Sequence, residues 1–540
     1  MNNKKELKLT TAITNINMIE IVLAITLIIL SFFMEKKFFI FENISTYQKF
    51  NYIMCKILFC ILVVCTIKFM FYVFTKVINN NPKYKTFTII FLGIMIIYGV
   101  FIYITWPGNW NNDELLILSN VRTFNFVLHQ SVFTNIFYIL CLMLIPNPGG
   151  VILAQAIIFA IVASYIVTVL FYKFGKKALI ILIIFFTIPT IYFMLYPLRA
   201  GIYSVLFLLL MFELYQVFEN NYLTPKKLYL IAALTVVVGY LRGESKSLIF
   251  IMPLVIIIFF RKNISKKYIL KALALIIALS LAFSCIIIQG DQQKLERRAT
   301  VWTFMTGFSV LLQDTNLRSS NLEEDLKNID KILPIDKLTQ NSSATNAEIL
   351  KQAIGPVEFT DAEYKAFMKS AIRIIAYNPI KYIKTKVNIL LESTGVSENF
   401  HWLPSIPTDE VLKNTLKGYD ISPEICKFLN PINESYRNQF MHFLTGEYRI
   451  NNGEGPIAFY IYWNQLIPII LFLIVSIICA IKKKWMLCII SGIYYIHFIL
   501  VYLLAPTTYL MYFFQFYLLG YILSIMYILS ITNSKRDNKV

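Results

Sequence analysis

The sequence predicts an all-α integral membrane protein of about twelve transmembrane helices, with a mainly helical extracytoplasmic insertion. Three observations predict it. Of 540 residues, 57% are hydrophobic and only 15% charged, at a mean hydropathy of +0.63. A soluble protein carries about 25% charged residues, so this chain lacks the polar surface to stay in water. Apolar runs long enough to cross a bilayer recur along most of its length, and the basic residues between them cluster in short loops. These features exclude a soluble enzyme, a secreted disulfide scaffold and a disordered protein.

The first apolar run, 17–33, follows a basic stretch and ends Ser-Phe-Phe-Met-Glu-Lys-Lys. It has no small-residue cleavage site and reads as a retained membrane helix. Further runs lie at 53–74, 87–105, 151–172, 178–195, 202–218, 228–241, 248–260, 268–288, 457–481, 485–504 and 509–531. Helices apolar all round offer no periodicity by which to orient them, so loop charge must do it. With the N-terminus inside, the loops at 76–85, 173–177, 226–227, 261–267 and 482–484 and the tail at 535–539 face the cytoplasm, and all are basic. Lys36 and Lys37 are the exception. The pattern requires that the short run 132–145, followed by Asn147-Pro148-Gly149-Gly150, does not cross. Residues 106–150 then form one long outer loop with helices lying in the membrane interface. The expected location is the cytoplasmic (inner or plasma) membrane, multi-pass, with both termini cytoplasmic.

Four regions follow: 1–86, two membrane helices; 87–289, a transmembrane core containing the outer loop 106–150; 290–455, an extracytoplasmic insertion; and 456–540, three membrane helices and a basic tail. The net charge is +19, yet residues 290–455 hold 19 Lys+Arg against 21 Asp+Glu. The surplus therefore belongs to the membrane loops, where it sets topology and attracts anionic lipid; no nucleic-acid partner is implied. Within the insertion, 322–338 has helical periodicity, 361–391 reads as two helices parted by Asn378-Pro379, and 393–418 is a Pro-punctuated loop. Seven of the eight cysteines lie in or near apolar runs and Cys426 lies in the insertion; none has metal-ligand spacing.

Chemistry concentrates on a few charged side chains. Outside the insertion Asp113 and Glu114 are the one adjacent acidic pair, just past the outer end of the third run and at the start of an amphipathic stretch. A carboxylate there reaches both water and a lipid headgroup, as a general base must when a water-side hydroxyl attacks a group carried on a lipid phosphate. The competing reading is that Asn111 or Asn112 caps a helix and the acids complement its dipole. Leu241-Arg242-Gly243-Glu244-Ser245-Lys246 is a charged turn between two short apolar runs. Its Arg242 fork suits a lipid-linked phosphate, with Lys246 beside it and Glu244 as an accessory; equally, it could be an interface turn with an internal Arg–Glu pair. Tyr196-Pro197-Leu198-Arg199 places another cation on the same side. Arg122 and His129 in the first outer loop, and Arg297 and Arg298 after the ninth run, complete a cationic rim around the two carboxylates.

These places together resemble the GT-C superfamily of polytopic membrane glycosyltransferases, such as the protein O-mannosyltransferases and the lipid A aminoarabinose transferases. The resemblance rests on Asn112-Asp113-Glu114 in a long outer loop, and on Arg242-Gly243-Glu244 ending a later crossing. It rests also on Ile375-Ala376-Tyr377-Asn378-Pro379-Ile380-Lys381-Tyr382 and on Ala505-Pro506-Thr507-Thr508-Tyr509-Leu510-Met511-Tyr512. The last phrase has Leu510-Met511 where an Arg is common in the family. The resemblance implies a GT-C-like multi-helix bundle and a polyprenyl-phosphate-linked sugar donor. It casts Asp113 as catalytic base with Glu114 as its substitute, and Arg242, Arg199 and Lys246 around the donor phosphate. The acceptor would be an envelope glycan, lipid or protein. Some relatives use a divalent metal and others do not, and no ligand cluster here decides it. The alternatives are an O-antigen-type glycan polymerase or ligase, a lipid-linked oligosaccharide flippase or transporter, and an envelope scaffold.

Overall fold

The computed structural model describes residues 2–127, 130–261, 264–287, 291–394, 416–417, 423–445 and 462–537. It is 81% helix, without strands among the described residues. In chain order the α-helices are α1 (Asn2–Met34), α2 (Thr46–Ile78), α3 (Pro82–Thr105), α4 (Asn112–Val121), α5 (Val132–Leu144), α6 (Gly149–Phe174), α7 (Ile181–Phe185) and α8 (Ile188–Met194). Then come α9 (Arg199–Asn220), α10 (Pro225–Leu241), α11 (Lys246–Phe260), α12 (Lys266–Ile287), α13 (Asp291–Leu311), α14 (Leu322–Asp330), α15 (Ile335–Gln340) and α16 (Ala347–Ile354). The last are α17 (Asp361–Tyr377), α18 (Pro379–Ser393), α19 (Glu434–Thr445), α20 (Leu466–Ile481), α21 (Trp485–Leu504) and α22 (Phe514–Asp537).

Local chemistry sets many of these boundaries. Ser45 and Gln48 form a capping box at the start of α2, and Thr360 and Glu363 form another at α17. Asn81 and Thr224 accept backbone N–H groups ahead of Pro82 and Pro225, which open α3 and α10. The corner between α17 and α18 falls at Asn378. Its side-chain amide donates to Arg318 O at 2.7 Å and Ile374 O at 2.8 Å, and its Oδ1 accepts Arg318 N at 3.2 Å.

Among the described residues, nine helical segments are long and apolar enough to cross a membrane. They begin at Met18, Thr46, Pro82, Gly149, Arg199, Gly243, Lys266, Trp485 and Phe514. Side chains such as Ile57, Ile61, Ile89, Ile96, Phe250 and Leu281 project outward and exposed from them. Such surfaces are untenable in water and natural against lipid. The protein is thus an all-helical multi-pass membrane protein. The run 178–195 is not one helix: a 3-10 stretch (Gly175–Ile180) leads into α7, and the chain breaks before α8. Pro189 lacks an N–H and starts α8, while the Thr187 and Thr190 hydroxyls each donate to Ile184 O at 3.0 Å, satisfying the interrupted ladder. α10 has 17 residues and α20 has 16, so each falls just short of the length of the other spans.

The chain folds into two compact units, residues 1–205 with 406–451, and residues 206–405 with 452–540. The boundary lies within α9, and the insertion expected over 290–455 is divided between the units.

In the first unit, α1 and α2 pair around a buried ion pair, Lys56 Nζ to Glu35 Oε2 at 2.6 Å. Ser31 and Tyr52 complete the set, at 2.8 Å each. α3 packs on α6, and α5 packs against α6, α1, α2 and α4. With 13 residues, α5 spans roughly 20 Å, too little for a ~30 Å hydrocarbon core.

In the second unit, α13 to α18 enclose their own core of Val301, Met305, Phe308, Ile329, Leu333 and Phe367, with neighbouring apolar residues. Gly307 allows the Tyr382 ring to press on α13; a Cβ there would lie 2.4 Å from it. α20, α21 and α22 pack together around Phe472, Tyr494 and Tyr527.

Candidate functional site

The loop joining α3 to α4 is fixed from several sides within the first unit. Gly108 takes φ +103°, and a Cβ would meet Ile152 at 2.6 Å, so glycine alone fits. Asn109 N donates to Leu195 O at 3.1 Å and its amide donates to Tyr192 OH at 3.1 Å. Trp110 Nε1 donates to Pro107 O at 3.0 Å, and its ring packs edge-on against Tyr138, whose hydroxyl donates to Pro197 O at 2.8 Å. Gln155 ties the other wall, donating to the carbonyls of Phe193, Met194 and Tyr196. From α19, Arg437 donates to Gly108 O at 3.2 Å.

This rigid loop starts α4 at Asn112, and the two acids fall in its first turn. Successive helical residues point about 100° apart. Asp113 is accordingly half-buried, while Glu114 is buried to 1% exposure. Tyr196 OH donates to Glu114 Oε2 at 3.0 Å, and Glu114 Oε1 has no hydrogen-bond partner among the described residues. Burial, with the neighbouring charge of Asp113 second, raises the Glu114 pKa to about 8; the hydrogen bonds and Arg199 oppose this. The tyrosine wall responds in kind: burial foremost, then the acid charges, push Tyr196 well up. Arg199 opens α9, half-buried, so a cation and a helix N-terminus serve this same corner. The arrangement offers a partly open carboxylate, a buried acid disposed to hold its proton, and positive charge nearby.

The other predicted residues divide. Arg122 does not join the acids: its Nε donates to Phe38 O at 3.3 Å, its Nη2 lies 3.6 Å from Glu424, and its plane lies over Phe38 and Phe428. It is an anchor for the α1–α2 connection. His129 lies outside the described residues. Arg297 and Arg298 pair with Asp361 and Glu358 of their own helical module.

In the second unit, Arg242 is buried. Nη1 donates to Met511 O at 2.6 Å, Nη2 lies 3.5 Å from Glu244, and the guanidinium sits 5.2 Å from the Tyr512 ring centre. The internal Arg–Glu pair foreseen as the competing reading is present. The Ala505–Tyr512 phrase that lacks an arginine thus receives one from the Arg242 turn. Lys246 is exposed at the start of α11. The same phrase also accepts Lys386, whose Nζ donates to Ala505 O at 3.2 Å, Thr303 O at 3.2 Å and Thr306 Oγ1 at 3.1 Å; burial lowers its pKa to about 7.

Sequence reasoning missed Tyr196 as the partner of Glu114, Arg437 as a brace and Lys386 as a clasp. Only Tyr196 carried a signal, by its place in the Tyr-Pro-Leu-Arg turn. Among the described residues no group of three or more His, Cys, Asp or Glu side chains is placed to hold a metal ion. No protein-family model, curated protein or solved structure matches the chain.

Proposed function

We propose that the chain is a GT-C-type membrane glycosyltransferase. It would move a sugar from a polyprenyl-phosphate-linked donor to a hydroxyl of an envelope glycan, lipid or protein on the outer face of the cytoplasmic membrane. The observation that carries this reading is the half-open Asp113 beside buried Glu114, in the first turn of a short helix that follows a membrane-spanning one. On this reading the chain crosses twelve times, as the loop charges imply, with α10, α20 and the broken 178–195 segment completing the count.

In the reaction, the acceptor oxygen attacks the sugar C1 from the face opposite the phosphate. The bond between C1 and the phosphate oxygen breaks, the lipid phosphate leaves with the bonding pair, and configuration inverts. Asp113 takes the acceptor proton as attack proceeds. Glu114, held protonated near neutrality, adds no second negative charge against an anionic donor. Arg199 and the α9 N-terminus stabilise the leaving phosphate. Arg242 and Lys246, in the second unit, are assigned to donor binding on the family resemblance.

Mass spectrometry of envelope glycans from cells with and without the chain tests the reading. Loss of a single sugar residue is the expected result and names the donor. An unchanged glycan set would reject the activity. Vesicle flux of a lipid-linked sugar that survives Asp113→Asn would point to a transporter instead.

A further inference from the structure

α18 presents apolar residues on two faces. Tyr382, Thr385, Lys386, Ile389 and Ser393 face inward and are buried. On the opposite side Ile380 is 80% exposed, and Ile383, Val387 and Leu391 are exposed with it. Their spacing of three, four and four residues places them on one stripe of the helix. Single exposed apolar side chains need no explanation, but an ordered stripe does, especially on an insertion whose net charge is −2.

The stripe is joined to a membrane span. Ser393 Oγ lies 3.3 Å from Tyr502 OH, and Lys386 Nζ reaches Ala505 O at 3.2 Å. α18 therefore runs alongside the last turn of α21, whose own outward residues Ile496, Ile499 and Leu504 are exposed. Exposed apolar side chains thus occur both on the span and on the helix packed beside its last turn. Exposed Lys384 flanks the stripe, and exposed Tyr377 stands at the corner before it. Apolar centre, cationic flank and aromatic edge match a helix lying in the headgroup region of an anionic bilayer.

We propose that α18 rests in the leaflet at the C-terminal end of α21, with Ile380, Ile383, Val387 and Leu391 against lipid and Lys384 against lipid phosphate. The helical module is thereby held on the bilayer surface rather than standing clear in water. This holds whatever the chain transfers.

The test uses the full chain in discs of phosphatidylethanolamine and phosphatidylglycerol. Spin labels are placed singly at Ile383→Cys, Val387→Cys and, as a water-facing control, Lys365→Cys, with the native cysteines replaced. Collisions with oxygen should exceed those with an aqueous nickel chelate several-fold at 383 and 387, and the order should reverse at 365. Nickel dominating at all three positions would overturn the proposal. So would shielding from both probes at 383 and 387, the signature of a protein partner or a second copy. Lys384→Glu should reduce the depth at 383 in phosphatidylglycerol-rich discs but not in phosphatidylcholine; equal depths in both refute the phosphate contact. The wild-type chain supplies an independent check. Photoreactive phosphatidylglycerol should label the peptide 379–393, and absence of label there would count against docking.

Discussion

Glu114 in the first unit and Lys386 in the second are both buried, and burial pushes both towards their neutral forms. Their neighbours differ. Lys386 donates to three oxygens of the fold, two carbonyls and a hydroxyl, and so clasps α18 to α13 and to the segment after α21. Glu114 accepts a hydrogen bond from Tyr196, has no partner for Oε1 among the described residues, and has a half-open carboxylate next to it. The same contrast separates the cations. Arg242 is closed in by Met511, Glu244 and Tyr512, whereas Arg199 opens a helix beside the acids. A buried, displaced proton equilibrium therefore marks packing as readily as chemistry. What distinguishes the first unit is an accessible group beside the buried one.

The largest effect that would sharpen this contrast is expected at Arg242. Arg242→Ala removes the hydrogen bond to the Met511 carbonyl and the contact with Glu244, at a cost of about 3 kcal/mol. The unfolding midpoint in detergent should fall clearly, and the apparent KM for the lipid donor should rise. An unchanged midpoint would break the contrast with Arg199. An unchanged KM would remove Arg242 from the phosphate site.

Arg199→Ala should weigh more on binding than on stability. KM for the donor should rise about tenfold, roughly 1.4 kcal/mol, with a smaller fall in the midpoint than Arg242→Ala shows. A stability loss as large as that of Arg242→Ala would make Arg199 another packing cation.

The pH dependence offers two further effects, and they have opposite signs. Unfolded, Glu114 would release its proton near 4.5; folded, it holds it to about 8. The folded state binds more protons in that window, so this contribution is full below about 4.5 and is lost as pH rises to about 8. Glu114→Gln should remove that downward slope. Lys386 would ordinarily release its proton near 10.5; buried in the fold, it does so near 7. Here the unfolded chain binds more protons, so stability rises with pH between those values. Lys386→Met should abolish the rise. Midpoints recorded from pH 5 to 10 check both, and slopes of the same sign would contradict the proposed surroundings.

Much of the architecture was legible because lipid demands long apolar runs, and the helix ends carry chemical marks such as Asn81-Pro82, Thr224-Pro225 and Asn378-Pro379. The helix beginning at Asn112 with two acids in its first turn was legible for the same reason. The break between α7 and α8 was marked only by Thr187-Ile188-Pro189-Thr190, a pattern that membrane helices also tolerate, and the Ile184 carbonyl is satisfied there by the Thr187 and Thr190 hydroxyls. The environment of Arg242 was half legible. Glu244 stands two residues away, but Met511 contributes a backbone carbonyl, which any residue would supply. Tyr196 meets Glu114 across 82 residues and Arg437 meets Gly108 across 329, distances over which one sequence carries no pairing signal.

The central claim is that Asp113 takes the acceptor proton. Sugar transfer from a polyprenyl-phosphate donor should be measured in vesicles holding equal amounts of wild-type, Asp113→Asn and Glu114→Gln protein. Asp113→Asn should lose about 10²–10⁴-fold in rate at unchanged membrane level, while Glu114→Gln, which keeps a neutral side chain in place, should retain most of it. Transfer by Asp113→Asn at the wild-type rate would contradict the claim.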